Sequence, residues 1–239
     1  MLETNTIVLL IDADNAPPSA IARVMSELAS HGKVTIRRAY GNWTNPHLKG
    51  WEANLHAHAI QPMLQIDLTK GKNATDIAIA IDAMDILYTK SVDTFCFMTS
   101  DSDFTPLVTR LLSEGKTVIG YGERKTPAAL VNACSKFLFL DDEADKTEPA
   151  DKQMLRSDTQ LLTLLRDAIR KTEQDDGWSK LSRVGAHISN HASFDARNYG
   201  YPRLSDLIDA IGDLFALERD ESSHFRVRDL KRRPMAESG

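Results

Sequence analysis

The stretch that decides the fold is "CFMTSDSDFTPLV", Cys96 to Val108. A run of apolar residues short enough for a buried strand ends on Thr99 and Ser100. Two aspartates follow one residue apart, Asp101 and Asp103, and an apolar pattern with helical spacing resumes at Phe104. A strand that runs straight into a helix through a pair of carboxylates is one βα step of an α/β sheet, with acidic groups delivered to the sheet's carboxyl edge.

The chain around this step repeats the pattern. "TIVLLID" (6–12), "KVTIRRAYG" (33–41), "QPMLQID" (61–67), "TFCFMTS" (94–100), "KTVIGYG" (116–122) and "KFLFLD" (136–141) read as strands. Helical segments stand between them: "PPSAIARVMSELASHG", "HLKGWEANLHAHAI", "NATDIAIAIDAMDILYT", "FTPLVTRLLSEG" and "TPAALVNACS". Uniformly apolar strands, each followed by a helix, predict a mostly parallel sheet covered on both faces.

At 239 residues, 42% of them apolar, the chain can bury a sizeable core. It contains no run long enough to span a membrane and no secretory signal at its start, so a cytoplasmic location without membrane association is expected. The two cysteines, Cys96 and Cys134, lie in no zinc-like spacing and read as small buried residues. Net charge is −5, but unevenly spread: 14 Lys and Arg face 19 Asp and Glu in residues 1–149, and 15 face 15 in residues 150–239. An acidic N-terminal part does not exclude an anionic ligand if a cation bridges the two.

Three strand or helix ends carry the acidity. Asp12 and Asp14 follow the first strand, Asp101 and Asp103 the fourth, and Asp76 opens the third helix. With Asp76 at zero on a helical wheel, Ile77, Ile79, Ala80, Ala83, Met84, Ile86 and Leu87 fall within about 100° on either side. Asp76 is thereby expected on the buried stripe, with Asn73 or Thr75 as the helix cap, and Asp82 and Asp85 facing solvent. Convergence of Asp12, Asp76, Asp101 and either Asp103 or Asp14 would concentrate like charges and call for a cation. Hard oxygen ligands without cysteine select Mg²⁺ or Mn²⁺. For any one aspartate the simpler role is a turn or an N-cap.

Carboxylate-held Mg²⁺ suits phosphate chemistry, and two families compete. "LLIDADNA" resembles the opening of haloacid-dehalogenase phosphatases, with Asp12 as nucleophile and Asp14 as acid. Ala16 departs from that family's Thr or Val, and its later motifs have no match here. "LLIDADN", "GKNATDIAIAIDAM" and "FMTSDSDFTPLV", in order, closely resemble the three acidic blocks of the NYN domain in its bacterial LabA-like branch, within the PIN-like nuclease superfamily. Ala74 and Thr75 replace that family's frequent Gly-Val.

This resemblance implies an NYN domain over residues 1–141 and a Mg²⁺- or Mn²⁺-dependent ribonuclease, expected to act as an endonuclease. Asp12, Asp76, Asp101 and Asp103 would be its catalytic and metal-binding residues, with Asn15 supporting them. Lys70, Lys72 and Arg124 are candidate phosphate contacts near the same edge, although ordinary surface charge explains them equally well. PIN-like domains often pair, so a homodimer is an expectation.

"FLFLDDEADKTEPADKQ" leaves the last strand for a charged, Pro-containing stretch, predicting a linker over 142–153. Beyond it, "LLTLLRDAIRKT", "SKLSRVGAHISN" and "RLSDLIDAIGDLFAL" read as three helices and "SHFRVRD" as a short strand, a winged-helix pattern over 154–231 with a tail at 232–239. These segments resemble the LOTUS or OST-HTH domain, which implies binding of RNA or a partner protein. Arg183, Arg197, Tyr199 and Arg203 are the candidate RNA contacts, mixing cations with a stacking face, whereas Phe194 and Tyr199 serve equally well as core. The alternatives to a ribonuclease are a noncatalytic RNA-binding adaptor and a Mg²⁺-dependent phosphatase.

Overall fold

The computed structural model describes residues 5–65, 73–140 and 150–231. The chain divides into two compact units, Met1–Asp141 and Asp142–Gly239.

In the first unit six strands form one parallel sheet: β1 (Thr6–Asp12), β2 (Lys33–Gly41), β3 (Gln61–Leu64), β4 (Thr94–Met98), β5 (Thr117–Gly122) and β6 (Lys136–Phe139). Their order is β3-β2-β1-β4-β5-β6. The chain therefore builds outward from β1 in one direction, then returns to lay β4 on the other side of β1. The order reverses between β1 and β4, and such a reversal opens a crevice at the strands' carboxyl ends.

The connecting helices are α1 (Ile21–His31), α2 (Glu52–Ala57), α3 (Ala74–Thr89), α4 (Thr105–Ser113) and α5 (Ala128–Ala133). Residues 7–12 of β1 are all buried, because alternate side chains serve two separate cores. Ile7, Leu9 and Ile11 pack with Ile21, Val24 and Leu28 of α1 and with Trp51. Val8 and Leu10 pack with α3 and α4 through Ile79, Ala83, Val108 and Leu111. Each such side chain stabilises the fold by about 1.5–3 kcal/mol relative to exposure. Cys96 and Cys134 are buried and unpaired, as expected.

Helix α3 is rotated from its expected setting. Its buried residues are Thr75, Ile79, Ala83, Ile86 and Leu87, which centre the buried stripe about 50° from Asp76 on a helical wheel. Ile77, expected inside, is instead 59% exposed, and Asp76 sits at the stripe's margin. Asp82, expected to face solvent, is turned toward β2. There it accepts hydrogen bonds from Arg38 Nη1 (2.6 Å to Oδ2) and from the hydroxyl of Tyr40. Tyr40 is 1% exposed, so Asp82 satisfies a phenol that would otherwise be buried without a partner.

The second unit holds α6 (Lys152–Ser157), α7 (Thr159–Thr172), α8 (Leu181–His191) and α9 (Leu204–Ala210). A three-stranded antiparallel sheet in the order β7-β9-β8 completes it: β7 (Ser179–Lys180), β8 (Phe215–Arg219) and β9 (Phe225–Asp229). The sequence reading ran the third helix through Leu217. The helix instead ends at Ala210, and Phe215–Arg219 pairs with β9 as the first arm of the wing. Residues 150–157 pack on this unit: Ala150 N donates to Tyr199 O, Tyr201 Oη donates to Ala150 O, and Leu155 is fully buried. Among the described residues no helix is long and apolar enough to cross a membrane.

Candidate metal centre and nucleic-acid interface

Asp12 is the last residue of β1 and is 1% exposed. Its Oδ2 accepts hydrogen bonds from Asn15 Nδ2 (2.8 Å) and from Thr99 Oγ1 (3.1 Å), just beyond β4. Its Oδ1 is buried with no hydrogen-bond partner. An ionised oxygen left this way is costly, and burial pushes the Asp12 carboxyl above its ordinary value despite the two donors.

The other acidic residues stand around it. Asp76, in the first turn of α3, is half-buried and pushed up to about 6, first by burial and then by repulsion from Asp12, Asp101, Asp103 and Asp14. Asp76 is thus within electrostatic reach of each of the other four carboxylates, and Asp12 of Asp14. Asp14 accepts from Thr75 Oγ1 (3.0 Å) and from Asn42 N (3.4 Å). Asp101 Oδ1 accepts from Asp103 N (2.9 Å), capping the short 3-10 turn at Ser102–Phe104. Asp103 Oδ2 accepts from Asn73 Nδ2 (3.2 Å).

Asn73 is the N-cap residue of α3, one of the two expected, but its side chain makes no capping bond; its amide donates to Asp103 and the Thr75 hydroxyl to Asp14. Asp101 serves as an N-cap through one oxygen, so its capping and site roles coexist. Among the described residues, no ion pair involves any of the five aspartates. Nor are three His, Cys, Asp or Glu side chains there gathered tightly enough to hold an ion. The arrangement is a set of acidic residues at one sheet edge, without ion-pair partners among the described residues, with the buried Asp12 Oδ1 left unsatisfied.

Of the expected phosphate contacts, Lys70 and Lys72 lie outside the described residues. Arg124 follows β5 at the same sheet edge, with its guanidinium 5.3 Å from the centre of the Phe139 ring. In the second unit Arg183 is exposed on α8. Arg197 donates from Nε and Nη2 to Asp195, and Arg203 in the same manner to Asp206, so each carries a local counter-charge. Tyr199 donates to Asp158 Oδ2 (3.1 Å) and packs against Phe194 and the core.

The sequence reading did not single out Trp178, which is 9% exposed: its indole lies under Arg226 (4.8 Å) and Arg228 (4.7 Å), Arg226 also donates to Glu218 and Asp176, and Lys180 stands beside Arg226 in the sheet. The alternation of "FRVR" carried that signal, since arginines two apart on a strand share one face. It also missed Thr99 and Thr75, which read as strand-end and cap residues.

The NYN domain family matches residues 6–141, and the OST-HTH/LOTUS domain family matches residues 156–227. An uncharacterised protein of Methanocaldococcus jannaschii, MJ0482, is 24% identical over 148 residues, covering 57% of this chain and 56% of that protein. The chain thus spans about half the length of this curated relative. A Vibrio parahaemolyticus protein of unknown function, VPA0982, aligns with a TM-score of 0.49 and 23% identity over 59% of this chain and 96% of its own. With its PIN-like sheet and the three acidic blocks in register, the chain belongs to the NYN-domain family and carries an OST-HTH/LOTUS domain behind the NYN domain.

Proposed function

We propose that the protein is a divalent-cation-dependent ribonuclease that cuts single-stranded RNA endonucleolytically at the β1–β4 crevice, with the OST-HTH/LOTUS domain recruiting the RNA. The observation that carries this reading is the Asp12 carboxylate. One oxygen is fixed by Asn15 and Thr99; the other is buried and unpartnered, and Asp76 nearby feels repulsion from Asp12, Asp14, Asp101 and Asp103. An unsatisfied carboxylate oxygen with further carboxylates at the same edge is the oxygen-donor chemistry a hard cation takes, and binding one would draw the neighbouring aspartates closer.

Asp12, Asp76 and Asp101 would hold Mg²⁺ or Mn²⁺, with Asp103 holding a second ion or orienting water. Such an ion offsets the charge that builds on the phosphodiester in the transition state and makes water a competent nucleophile near neutral pH. Asn15 and Thr99 orient Asp12 so that Oδ1 remains free to ligate. Asp76, raised to about 6 by burial and by its acidic neighbours, would give up its proton as a cation binds, so ion binding is expected to tighten as pH rises. Arg124, Lys70 and Lys72 are the candidate phosphate contacts of this domain. Arg183 and Arg228 are the stronger candidates of the second, since Arg197, Tyr199, Arg203 and Arg226 are each already held by a carboxylate.

The test compares wild type with Asp101→Asn on labelled single-stranded RNA in Mg²⁺, Mn²⁺ or EDTA, beside a small phosphate monoester. RNA cleavage that needs the ion and Asp101 supports the proposal. Cleavage in EDTA, or equal cleavage by the variant, sinks it. Binding without cleavage favours the adaptor, and turnover of the monoester alone favours the phosphatase.

A further inference from the structure

Beside the acidic crevice, past the end of β2, lies a cavity of about 420 Å³ lined by Trp43, Asn45, Leu48, Lys49, Glu52, Leu55 and Pro62, among others. Its size falls within the range of small-ligand sites, about 300–1,000 Å³. The loop that forms it is firmly held. Trp43 Nε1 donates to Met63 O of β3 (3.0 Å), Asn45 N to Asn42 O (2.7 Å), and Thr44 Oγ1 to Asn42 Oδ1 (2.5 Å). Trp43 also packs partly on the core beside Leu55, so its indole is a fixed surface.

Gly41 joins this cavity to the crevice. A Cβ at that position would fall 2.8 Å from Leu48 Cδ1, in the cavity lining, and 3.2 Å from Asp14 Oδ1, at the acidic edge. Leu48 of the cavity lining and the Asp14 carboxylate therefore both lie against Gly41, which places one wall of the cavity next to the acidic edge.

The chemistry of the cavity selects its occupant. The crevice carries five carboxylates that repel a phosphate backbone unless a cation bridges the two, so an uncharged surface nearby adds affinity that does not depend on the ion. A rigid indole offers stacking to any base. Asn45 spends its Oδ1 on the His47 amide, leaving its NH₂ among the cavity's donors together with the Lys49 ammonium. We infer that this cavity is a nucleobase subsite in which Trp43 stacks one base of single-stranded RNA beside the acidic crevice, with Asn45 and Lys49 donating to that base or its phosphate. The inference rests on the RNA reading of the crevice but requires no cleavage.

Its test is photo-crosslinking of 4-thiouridine-substituted single-stranded RNA to the full chain carrying Asp101→Asn, in EDTA and in Mg²⁺, with adducts mapped by mass spectrometry. An adduct is expected within residues 42–49. Trp43→Leu should reduce it by roughly 5- to 150-fold, the range for loss of one stacked base, and leave adducts in the second domain unchanged. Trp43→Phe keeps a π face while losing the Met63 bond, and should retain most of the adduct. Thermal melts establish that each variant is folded.

Absence of any adduct at 42–49, or an adduct insensitive to Trp43→Leu, overturns the inference, as do equal losses in Phe and Leu. If the wild type cleaves RNA while these outcomes occur, the subsite alone fails. If the adduct behaves as expected and the wild type cleaves nothing, the ribonuclease reading alone fails.

Discussion

Replacing Asp76 with asparagine should stabilise the fold while abolishing cleavage. Burial, then repulsion from Asp12, Asp101, Asp103 and Asp14, raises this carboxyl from 3.8 to about 6. The folded chain thus binds the proton more tightly than the unfolded chain. Stability attributable to this group is highest below 3.8, falls as pH rises through the window from 3.8 to about 6, and is fully lost above it. A shift of this size corresponds to about 3 kcal/mol at 1.36 kcal/mol per pH unit. Asp76 is only half-buried, and solvent screening reduces this to roughly 1.5 kcal/mol. Asparagine keeps the shape and removes the charge. At pH 7.5 in EDTA its melting temperature should lie about 3–6 °C above wild type, with the difference shrinking toward zero near pH 4. Added Mn²⁺ should stabilise the wild type more than the variant, narrowing the gap. Paired thermal melts from pH 4 to 8 measure this. A variant no more stable than wild type at pH 7.5, or a gain independent of pH, would refute the claim that Asp76 sits in an uncompensated acidic cluster.

Further outcomes follow from the same contacts. Asn15→Ala and Thr99→Val each remove one donor from Asp12 Oδ2, and each should weaken Mn²⁺ binding by about 10- to 100-fold in a calorimetric titration. Asp82→Ala leaves the Tyr40 hydroxyl and Arg38 without their shared acceptor and should cost about 2–3 kcal/mol in urea unfolding; a loss under 0.5 kcal/mol would contradict the pinning of α3 to β2. Arg228→Ala on the wing should lower the slope of log affinity for single-stranded RNA against log salt by about 0.7. Arg203→Ala, whose guanidinium is already held by Asp206, should change that slope by less than half as much.

The centre of the sheet was legible in the sequence because β1, β4 and β5 are nearly continuous apolar runs, buried on both faces, whereas β2 carries Lys33, Arg37 and Arg38 and β3 at the edge is mostly exposed. The acidic residues were legible as positions at strand and helix ends. Their partners were not, since Thr75, Thr99 and Asn73 have ordinary local roles and acquire their bonds to Asp14, Asp12 and Asp103 only through tertiary packing. The setting of α3 was misjudged for a related reason. The helix is apolar on nearly every side, so its pattern fixes the buried face poorly, and the Tyr40–Asp82 contact that orients it comes from another element. The wing was half legible: β9 alternates, but "FAL" of β8 continues the apolar pattern of α9 without interruption. The cavity at Trp43 had no local signature, because Pro62 and Leu55 reach it from separate segments.

The central claim is that the aspartates around Asp12 form a cation site, and electron paramagnetic resonance of Mn²⁺ added to the full chain tests it without reliance on any substrate. Wild type should quench the free-ion signal with saturable binding, and Asp12→Asn, which removes the charge at the buried oxygen, should weaken that binding at least tenfold while the protein remains folded. Equal Mn²⁺ binding by the two proteins, or none by the wild type, would contradict the account.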